Sequence, residues 1–430
     1  MVLSRLTKVG MAVSTLILAC AQAHADSSAF RFSGFGTVGG VVTDNGDVEF
    51  ATPGQPSGAK KSLDLGVDSR IGVQASYQLN DMFSGTVQVI SKHNGKGNYN
   101  PNVEWAFVKA QITPSVGLRA GRIGAPYFMI SDYRDVNYAN LWVRPPLETY
   151  GQVPVSNVTG ADLIVTHAMG PANVSAQLWG GLSRATLERN TDVTIRNQVG
   201  LSLSAEFDNG LTLRAGHSAG KVSISSPSLR TLQAGSSAVA TAVNGGAFGG
   251  GAAAAYGPSM SATVDELDLS GRSATFSGIG ASWELGNWQL NGEYTRRHID
   301  GYLGSSTGWY ASAGYRLGKV TPFAYVSGLK VSGVASNGFA SGAAALGGFS
   351  PQLTAVSNGV NTVFSDARTG GQRSVALGAR WDAWKSASLK AQLEHITPKD
   401  GGVGLFVANP GSSLNGDSVN VLSVSVDFVF

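Results

Sequence analysis

The final stretch of the chain, residues 418–430, restricts the possible folds more than any other segment. Every second residue there is apolar, and the residues between them are polar; the apolar set is Leu422, Val424, Val426, Phe428 and Phe430, and the polar set is Ser423, Ser425 and Asp427. Successive strand residues point to opposite faces, so this stretch predicts a strand with one apolar and one polar face. About ten such residues suffice to cross a bilayer in a closed barrel, although an edge strand of a soluble sandwich shows the same alternation.

The same alternation recurs along the chain between turn residues, as in 65–79 and 193–207. We count about sixteen such segments, an even number, as single-chain outer-membrane barrels have. Short turns alternate with longer connections; the longer ones include 43–62, 93–101, 123–157, 219–272, 333–371 and 397–417. Because outer-membrane barrels sort their connections in this way, the fold class predicted is all-β, a transmembrane antiparallel β-barrel.

The polar faces of the predicted strands carry charges that need water. They include Arg70, Lys92, Arg119, Arg196, Glu206, Arg380, Lys390 and Glu394. Burying so many charges in a dry core would cost too much free energy. A closed barrel of about sixteen strands satisfies every backbone group in hydrocarbon and is wide enough to hold water. The sequence therefore predicts a water-filled interior.

Composition supports this fold class and excludes several functions. Charged residues make up 14% of the chain, against about 25% in typical soluble domains. The net charge is +3, and Arg5 and Lys8 near the N-terminus supply two of those charges, so no nucleic-acid partner is expected. Cys20 is the only cysteine, and the six histidines show no metal-ligand spacing. We therefore expect no metal, no cofactor and no catalytic residue, and predict that the chain is not an enzyme.

The N-terminus has the features of a secretory signal peptide over residues 1–25. Arg5 and Lys8 precede an apolar run, and Ala23-His24-Ala25 forms a small-x-small cleavage site. A lipoprotein signal ending at Cys20 is the alternative. Residues 26–430 are then predicted to form one barrel domain without an internal boundary.

Four blocks of sequence resemble Gram-negative porins, in particular a porin-like group from proteobacteria. They are residues 32–40, FSGFGTVGG; 69–80, SRIGVQASYQLN; 99–105, YNPNVEW; and 118–122, LRAGR. The resemblance implies a sixteen-stranded passive diffusion channel in the outer membrane, trimeric, with the loop after the fifth strand folded into the lumen. The segment 123–157 follows the fifth predicted strand, but the Pro-Glu-Phe-Gly signature of the enterobacterial general porins is absent. The terminal Phe430, with Phe428, also resembles the signal that the outer-membrane assembly machinery recognises.

These expectations single out charged residues for a pore constriction. Acids on the inward loop opposite bases on the wall would create a transverse field that filters solutes by size and charge. The loop candidates are Asp132, Arg134, Asp135, Arg144 and Glu148, and the wall candidates are Arg70, Lys92, Lys109, Arg119 and Arg122. The alternative is that the loop charges are solvated outside the barrel.

The predicted function is therefore that of an outer-membrane porin of a Gram-negative bacterium, through which small hydrophilic solutes and ions diffuse. The expected partners are outer-membrane lipid, these solutes, the assembly machinery and two further copies of the chain in a homotrimer. A substrate-specific channel, or an adhesin that binds through the long outer loops 219–272 and 333–371, is the alternative.

Overall fold

Sixteen strands close into a single antiparallel barrel in the computed structural model, which describes residues 29–248, 254–346 and 351–430. Each strand pairs with its neighbours in sequence, and the first pairs with the last. The strands are β1 Phe30–Thr43, β2 Arg70–Gln78, β3 Phe83–Lys92, β4 Asn102–Thr113, β5 Val116–Gly124, β6 Asn157–Met169, β7 Ala172–Leu187, β8 Thr191–Phe207, β9 Leu211–Ser225, β10 Arg272–Leu285, β11 Trp288–Ile299, β12 Gly304–Tyr315, β13 Val320–Ser332, β14 Gln372–Trp384, β15 Ala387–Pro398 and β16 Val419–Val429. The predicted β-barrel is confirmed, and the predicted signal peptide lies outside the described residues.

The two faces of the sheet differ as the alternation predicts. In β16, Leu422 and Val424 are exposed, whereas Ser423 and Asp427 are completely buried. Apolar side chains therefore cover the outside, and polar side chains line the inside. None of the helices in the described residues is long and apolar enough to cross a membrane.

The connections are sorted by length between the two ends of the barrel. Those that follow even-numbered strands are tight turns; they are 79–82, 114–115, 170–171, 208–210, 286–287, 316–319 and 385–386. Those that follow odd-numbered strands include all the long ones, with two short exceptions at 188–190 and 300–303. Both chain ends of the barrel, at β1 and β16, consequently lie at the short-turn end.

Most predicted boundaries shift by a few residues, and two shift by five or more. The strand predicted over 65–79 begins at Arg70, because the Asp64 carboxylate accepts hydrogen bonds from the backbone N–H groups of Gly66 and Val67 and makes a turn there. The loop predicted over 219–272 begins later, because β9 continues to Ser225.

The segments predicted as long outer loops contain helices. A short helix, α1 Leu147–Tyr150, lies between β5 and β6; α2 Pro227–Asn244 and α3 Gly257–Leu267 follow β9; α4 Gly338–Leu346 and α5 Pro351–Arg368 follow β13. The last four share an apolar core that includes Val243, Met260, Leu353, Val360 and Phe364. Alanine-rich sequence favours helix, and burial of these spaced apolar side chains stabilises it.

The seam between β1 and β16 pairs glycines with aromatic rings. Gly36 lies directly opposite Phe428, and a Cβ atom added to Gly36 would lie 2.4 Å from that ring. The ring of Phe430 lies over Gly34 in the same way, 2.2 Å from an added Cβ. The two rings thus cover backbone that the glycines leave bare.

Candidate functional site inside the barrel

The connection between β5 and β6, residues 125–156, is called the lumen segment here. It hydrogen-bonds to buried side chains of strands far away in sequence. The Trp142 Nε1–H donates to Ser312 Oγ at 2.9 Å, and the Val143 N–H donates to Gln392 Oε1 at 3.0 Å. Both acceptors lie on the polar, buried face of the sheet. The segment therefore packs against the inner wall.

An aromatic cluster joins the lumen segment to the wall. Phe128 lies 5.1 Å from Phe276 of β10 between ring centroids, edge to face, and Trp142 lies 5.5 Å from Tyr310 of β12. Sequence reasoning missed these residues, because it treated the inner face as uniformly polar. The signal available in the sequence was the presence of aromatic residues at strand positions that face inward.

Arg144 is completely surrounded by acids and a hydroxyl group of the wall. Its guanidinium donates to Asp68 at 2.7 and 3.1 Å, to Glu394 at 2.5 Å and to Ser423 at 2.5 Å. Burial lowers the pKa of Arg144, but the two acids outweigh it and hold the pKa above its ordinary value. Asp68 and Glu394 were absent from the predicted site. Here the base lies on the segment and the acids on the wall, the reverse of the predicted polarity.

Glu148, in α1, is buried against the neighbouring strands β13 and β14. Its carboxylate accepts hydrogen bonds from Ser327 Oγ at 2.9 Å, from Gln372 Nε2 at 2.6 Å and from Ser374 Oγ. Three uncharged donors therefore satisfy this acid. Buried contacts of this kind hold the segment rather than present a charge to open water.

Asp135 is the acid that faces bases on the wall, as the constriction hypothesis describes. Its carboxylate lies 2.9 Å from Arg70 Nη1 and 2.8 Å from Lys92 Nζ. Burial raises the pKa of Asp135, but Lys92, Arg70 and Arg134 together outweigh it and lower the pKa below its ordinary value. The structure thus brings Arg70, Lys92 and Asp135 together.

In the described residues, the remaining predicted residues form no hydrogen bond or ion pair with that cluster, although Arg122, Arg134 and Arg144 line the same cavity. Arg119 pairs with Asp162 of the neighbouring strand β6, and the Arg122 Nε–H donates to Asn157 at 2.9 Å. Asp132 is exposed. Within the described part of the chain, neither Lys109 nor Arg134 has a side-chain hydrogen bond or ion pair. The barrel therefore places the predicted charges in several separate contacts.

An open cavity of about 260 Å³ lies between the lumen segment and the wall. Basic side chains outnumber acidic ones around it: Arg70, Lys92, Arg122, Arg134, Arg144 and Arg184 against Glu104 and Asp135. The salt bridges found in the described residues include none from Arg122, Arg134 or Arg184. These uncompensated charges make the local potential positive. Arg184 and Glu104 were not predicted as site residues, although both lie near the long-connection ends of their strands.

Comparison with known proteins places this geometry in context. A family model described as Gram-negative porin matches residues 12–328. The search of curated proteins gave no match. Among solved structures, the anion-selective porin from Comamonas acidovorans aligns with a TM-score of 0.53 and 12% identity, covering 94% of this chain and 100% of that chain.

Two other solved structures align with this chain at the same TM-score. OmpF of Salmonella typhi, in complex with daunomycin, has a TM-score of 0.53 and 13% identity over 93% of this chain and 97% of that chain. The outer-membrane channel DcaP of Acinetobacter baumannii has a TM-score of 0.53 and 7% identity over 94% and 99%. At such low identity these likenesses show the barrel fold alone.

Proposed function

The chain belongs to the Gram-negative porin family and is a passive diffusion channel, and we propose that its lumen segment sets the size and charge of the solutes that pass. Support comes from the contacts of that segment across the barrel, through Arg144, Glu148 and Asp135. A segment held at several points narrows the water-filled interior without closing it. The candidate filter groups are the predicted charges that line the open cavity without being enclosed by the wall, Arg70, Lys92, Arg122, Arg134 and Asp135, together with Arg184 and Glu104.

We further propose that the channel prefers anions. The observation that carries this proposal is the excess of basic side chains around the open cavity beside the lumen segment. Charges that line a narrow aqueous path with low-dielectric walls raise the local concentration of ions of opposite sign. Arg122, Arg134 and Arg184 are the groups expected to contribute most, because no carboxylate neutralises them directly.

Reconstitution into planar bilayers tests both proposals. Ohmic steps should appear in KCl, and the reversal potential under a salt gradient should have the sign of an anion-preferring channel. The triple variant Arg122→Gln/Arg134→Gln/Arg184→Gln should lower the anion-to-cation permeability ratio about threefold. Lys319→Gln, which removes an exposed base from the turn 316–319, is the matched control and should leave the ratio unchanged.

Each outcome has a clear consequence. Absence of conductance would contradict the channel function and favour the adhesin alternative. Cation preference, or a triple variant with the same ratio as the wild type, would overturn the proposed charge filter while leaving the channel intact.

The family and the barrel fold point to a channel rather than an enzyme, and to a location in the outer membrane. We extend this to export through a signal peptide cleaved after residue 25, absence of any enzymatic activity and assembly as a homotrimer. Mass spectrometry of the mature protein from the outer membrane tests the cleavage site; a lipidated Cys20 would support the alternative signal.

A further inference from the structure

A second cavity, of about 430 Å³, lies on the long-connection side of the lumen segment. The inner faces of β8 to β11 form one wall, and residues 151–154 of the lumen segment form another. Leu187 at the end of β7 and residues 52–55, 188–189 and 403–410 of the connections also line the cavity, with Tyr127, Asp366 and Thr369. A solute that enters from the long-loop end would meet this space beside the lumen segment.

Part of the wall of this cavity is apolar, in contrast to the polar inner face of a strand such as β16. Apolar side chains line the cavity near the long-connection ends of β8 to β11: Val193, Ile195, Val222, Ile224, Phe276 and Ile299. Three of these residues, Val193, Val222 and Ile299, form a buried apolar cluster of their own. Farther along the same strands, Ser202 and Thr295 restore the polar pattern. A channel that conducts only water and inorganic ions needs no apolar patch of this kind on its wall.

Arg297 of β11 lines the same cavity and has no anionic partner. Its Nη1–H donates to the backbone carbonyl of Gln152 at 3.1 Å, and its Nε is buried without a hydrogen-bond acceptor. No ion pair to Arg297 occurs among the residues that the structure describes. A guanidinium with a buried, unbonded Nε and no carboxylate partner is costly, and an anion that binds its Nη atoms would offset part of that cost.

We propose that this cavity is a binding site for small monocarboxylates with an apolar body. The carboxylate binds the guanidinium of Arg297, which suits planar two-pronged recognition, and the apolar body packs on the cluster of Val193, Val222 and Ile299. Glu188, Asp366 and Arg189 also line the cavity, so the charges other than Arg297 nearly balance and the site suits a solute with a single negative charge. The proposal rests on the channel function and specifies which class of solute binds inside the channel.

Block of the KCl current tests the proposal on the reconstituted full-length protein. Benzoate is the probe; acetate lacks the apolar body, and benzamide lacks the charge. Benzoate should halve the single-channel current at a concentration at least about tenfold below either control, because both groups of contacts are needed. Equal block by benzoate and acetate would show no apolar contribution and would overturn the proposal.

Variants separate the two parts of the site. Arg297→Gln should raise the half-blocking benzoate concentration about tenfold, and Val222→Thr, nearly isosteric, should raise it severalfold without affecting acetate. Arg316→Gln, which removes an exposed guanidinium from the turn 316–319, is the matched control and should keep benzoate block. Visible conductance steps show that each variant folds and conducts.

The failures of the two proposals are distinguishable. If the channel conducts and benzoate blocks Arg297→Gln as well as the wild type, the binding site is wrong and the porin function stands. If no steps appear in KCl, the channel function itself fails.

Discussion

At the scale of single residues, Arg144 is the strongest attachment of the lumen segment to the wall. Its guanidinium lies between Asp68 and Glu394 and covers the ring of Phe50 at 4.7 Å from the centroid. No water needs to reach this group, because the wall satisfies its donors. Removing the base leaves two buried acids without a counter-charge, which costs more than the pair contributes.

We therefore predict that Arg144→Met destabilises the barrel by about 3–5 kcal/mol and releases the lumen segment, so that single-channel conductance rises. Arg144→Lys should recover only part of the loss, because ammonium cannot make the two-pronged contact with Asp68. Urea unfolding followed by circular dichroism, together with conductance, measures both effects. Arg134→Gln is the control for stability, and an equal loss in that variant would refute the prediction.

Asp135 gives a prediction about pH. Its folded pKa is lowered below the ordinary value of 3.8, so its ion pairs with Arg70 and Lys92 contribute stability that is fully present above that value. This stability is lost as pH falls through the lower, folded pKa. Asp135→Asn should therefore be less stable than the wild type by about 1–3 kcal/mol at pH 7, and the difference should disappear only below about pH 4.

Unfolding of the two proteins in urea across pH 2–7 measures this difference. A gap that closes already near pH 6 would show that Asp135 is not held ionised by these bases. At neutral pH, the same variant should prefer anions more strongly than the wild type, because an acid has left the filter.

At the scale of elements, the closing strand has aromatic contacts on the face that also carries the proposed assembly signal. Phe428 and Phe430 cover Gly36 and Gly34 across the seam, and their stacked rings lie 6.4 Å apart between centroids. Cross-strand aromatic contacts contribute about 0.2–1 kcal/mol each. The proposed recognition of these residues by the assembly machinery is independent of this small contribution to stability.

We predict that Phe428→Ala/Phe430→Ala lowers the amount of assembled protein in cells severalfold, whereas refolding from urea into detergent still succeeds. Leu422→Ala, an exposed apolar position of the same strand, is the control. Heat-modifiable migration on gels measures the folded fraction in both settings. Equal loss in cells for the control would contradict a specific terminal signal.

The four longer helices form a second element with its own core. They come from two separate connections, and α2 and α3 pack against α4 and α5 through residues such as Met260 and Phe339. In the described residues, the two connections contain helices but no strand of the barrel. Loss of one helix pair would therefore expose the apolar face of the other.

We predict that replacing 334–370 alone by a short turn makes 226–271 sensitive to proteases, because its apolar face loses cover. Replacing both connections should give a resistant barrel with unchanged β-sheet circular dichroism. Limited proteolysis read by mass spectrometry tests this. Resistance of the single replacement would show that the two pairs are independent.

At the scale of the whole molecule, the exposed apolar outer surface and the family support insertion in the outer membrane. If three copies assemble, as proposed, each carries its own lumen segment and conducts separately. Single insertions should then close in three equal current steps. A single closing step, with a detergent-corrected mass of one chain, would contradict the trimer.

Much of the architecture could be predicted from local pattern. A period of two residues decides which side chains face lipid, and the need to satisfy every backbone group in a membrane requires closure of the sheet. The number of strands came from counting the alternating segments, and the sorting of connections came from the lengths of the stretches between them. Asp135, the acid of the proposed filter, was predicted because it lies in the long segment after the fifth strand, which the resemblance to porins implies to fold into the lumen.

The tertiary structure alone decided which inward groups meet. Arg144, Asp68 and Glu394 are far apart in sequence and come together only through closure of the barrel and the path of the lumen segment. The helical outer connections and the unpaired Arg297 could not be predicted for the same reason. The side of the sheet that a residue faces follows from its neighbours in sequence. Which residues pair across the lumen depends on how parts of the chain that are far apart in sequence are placed in space.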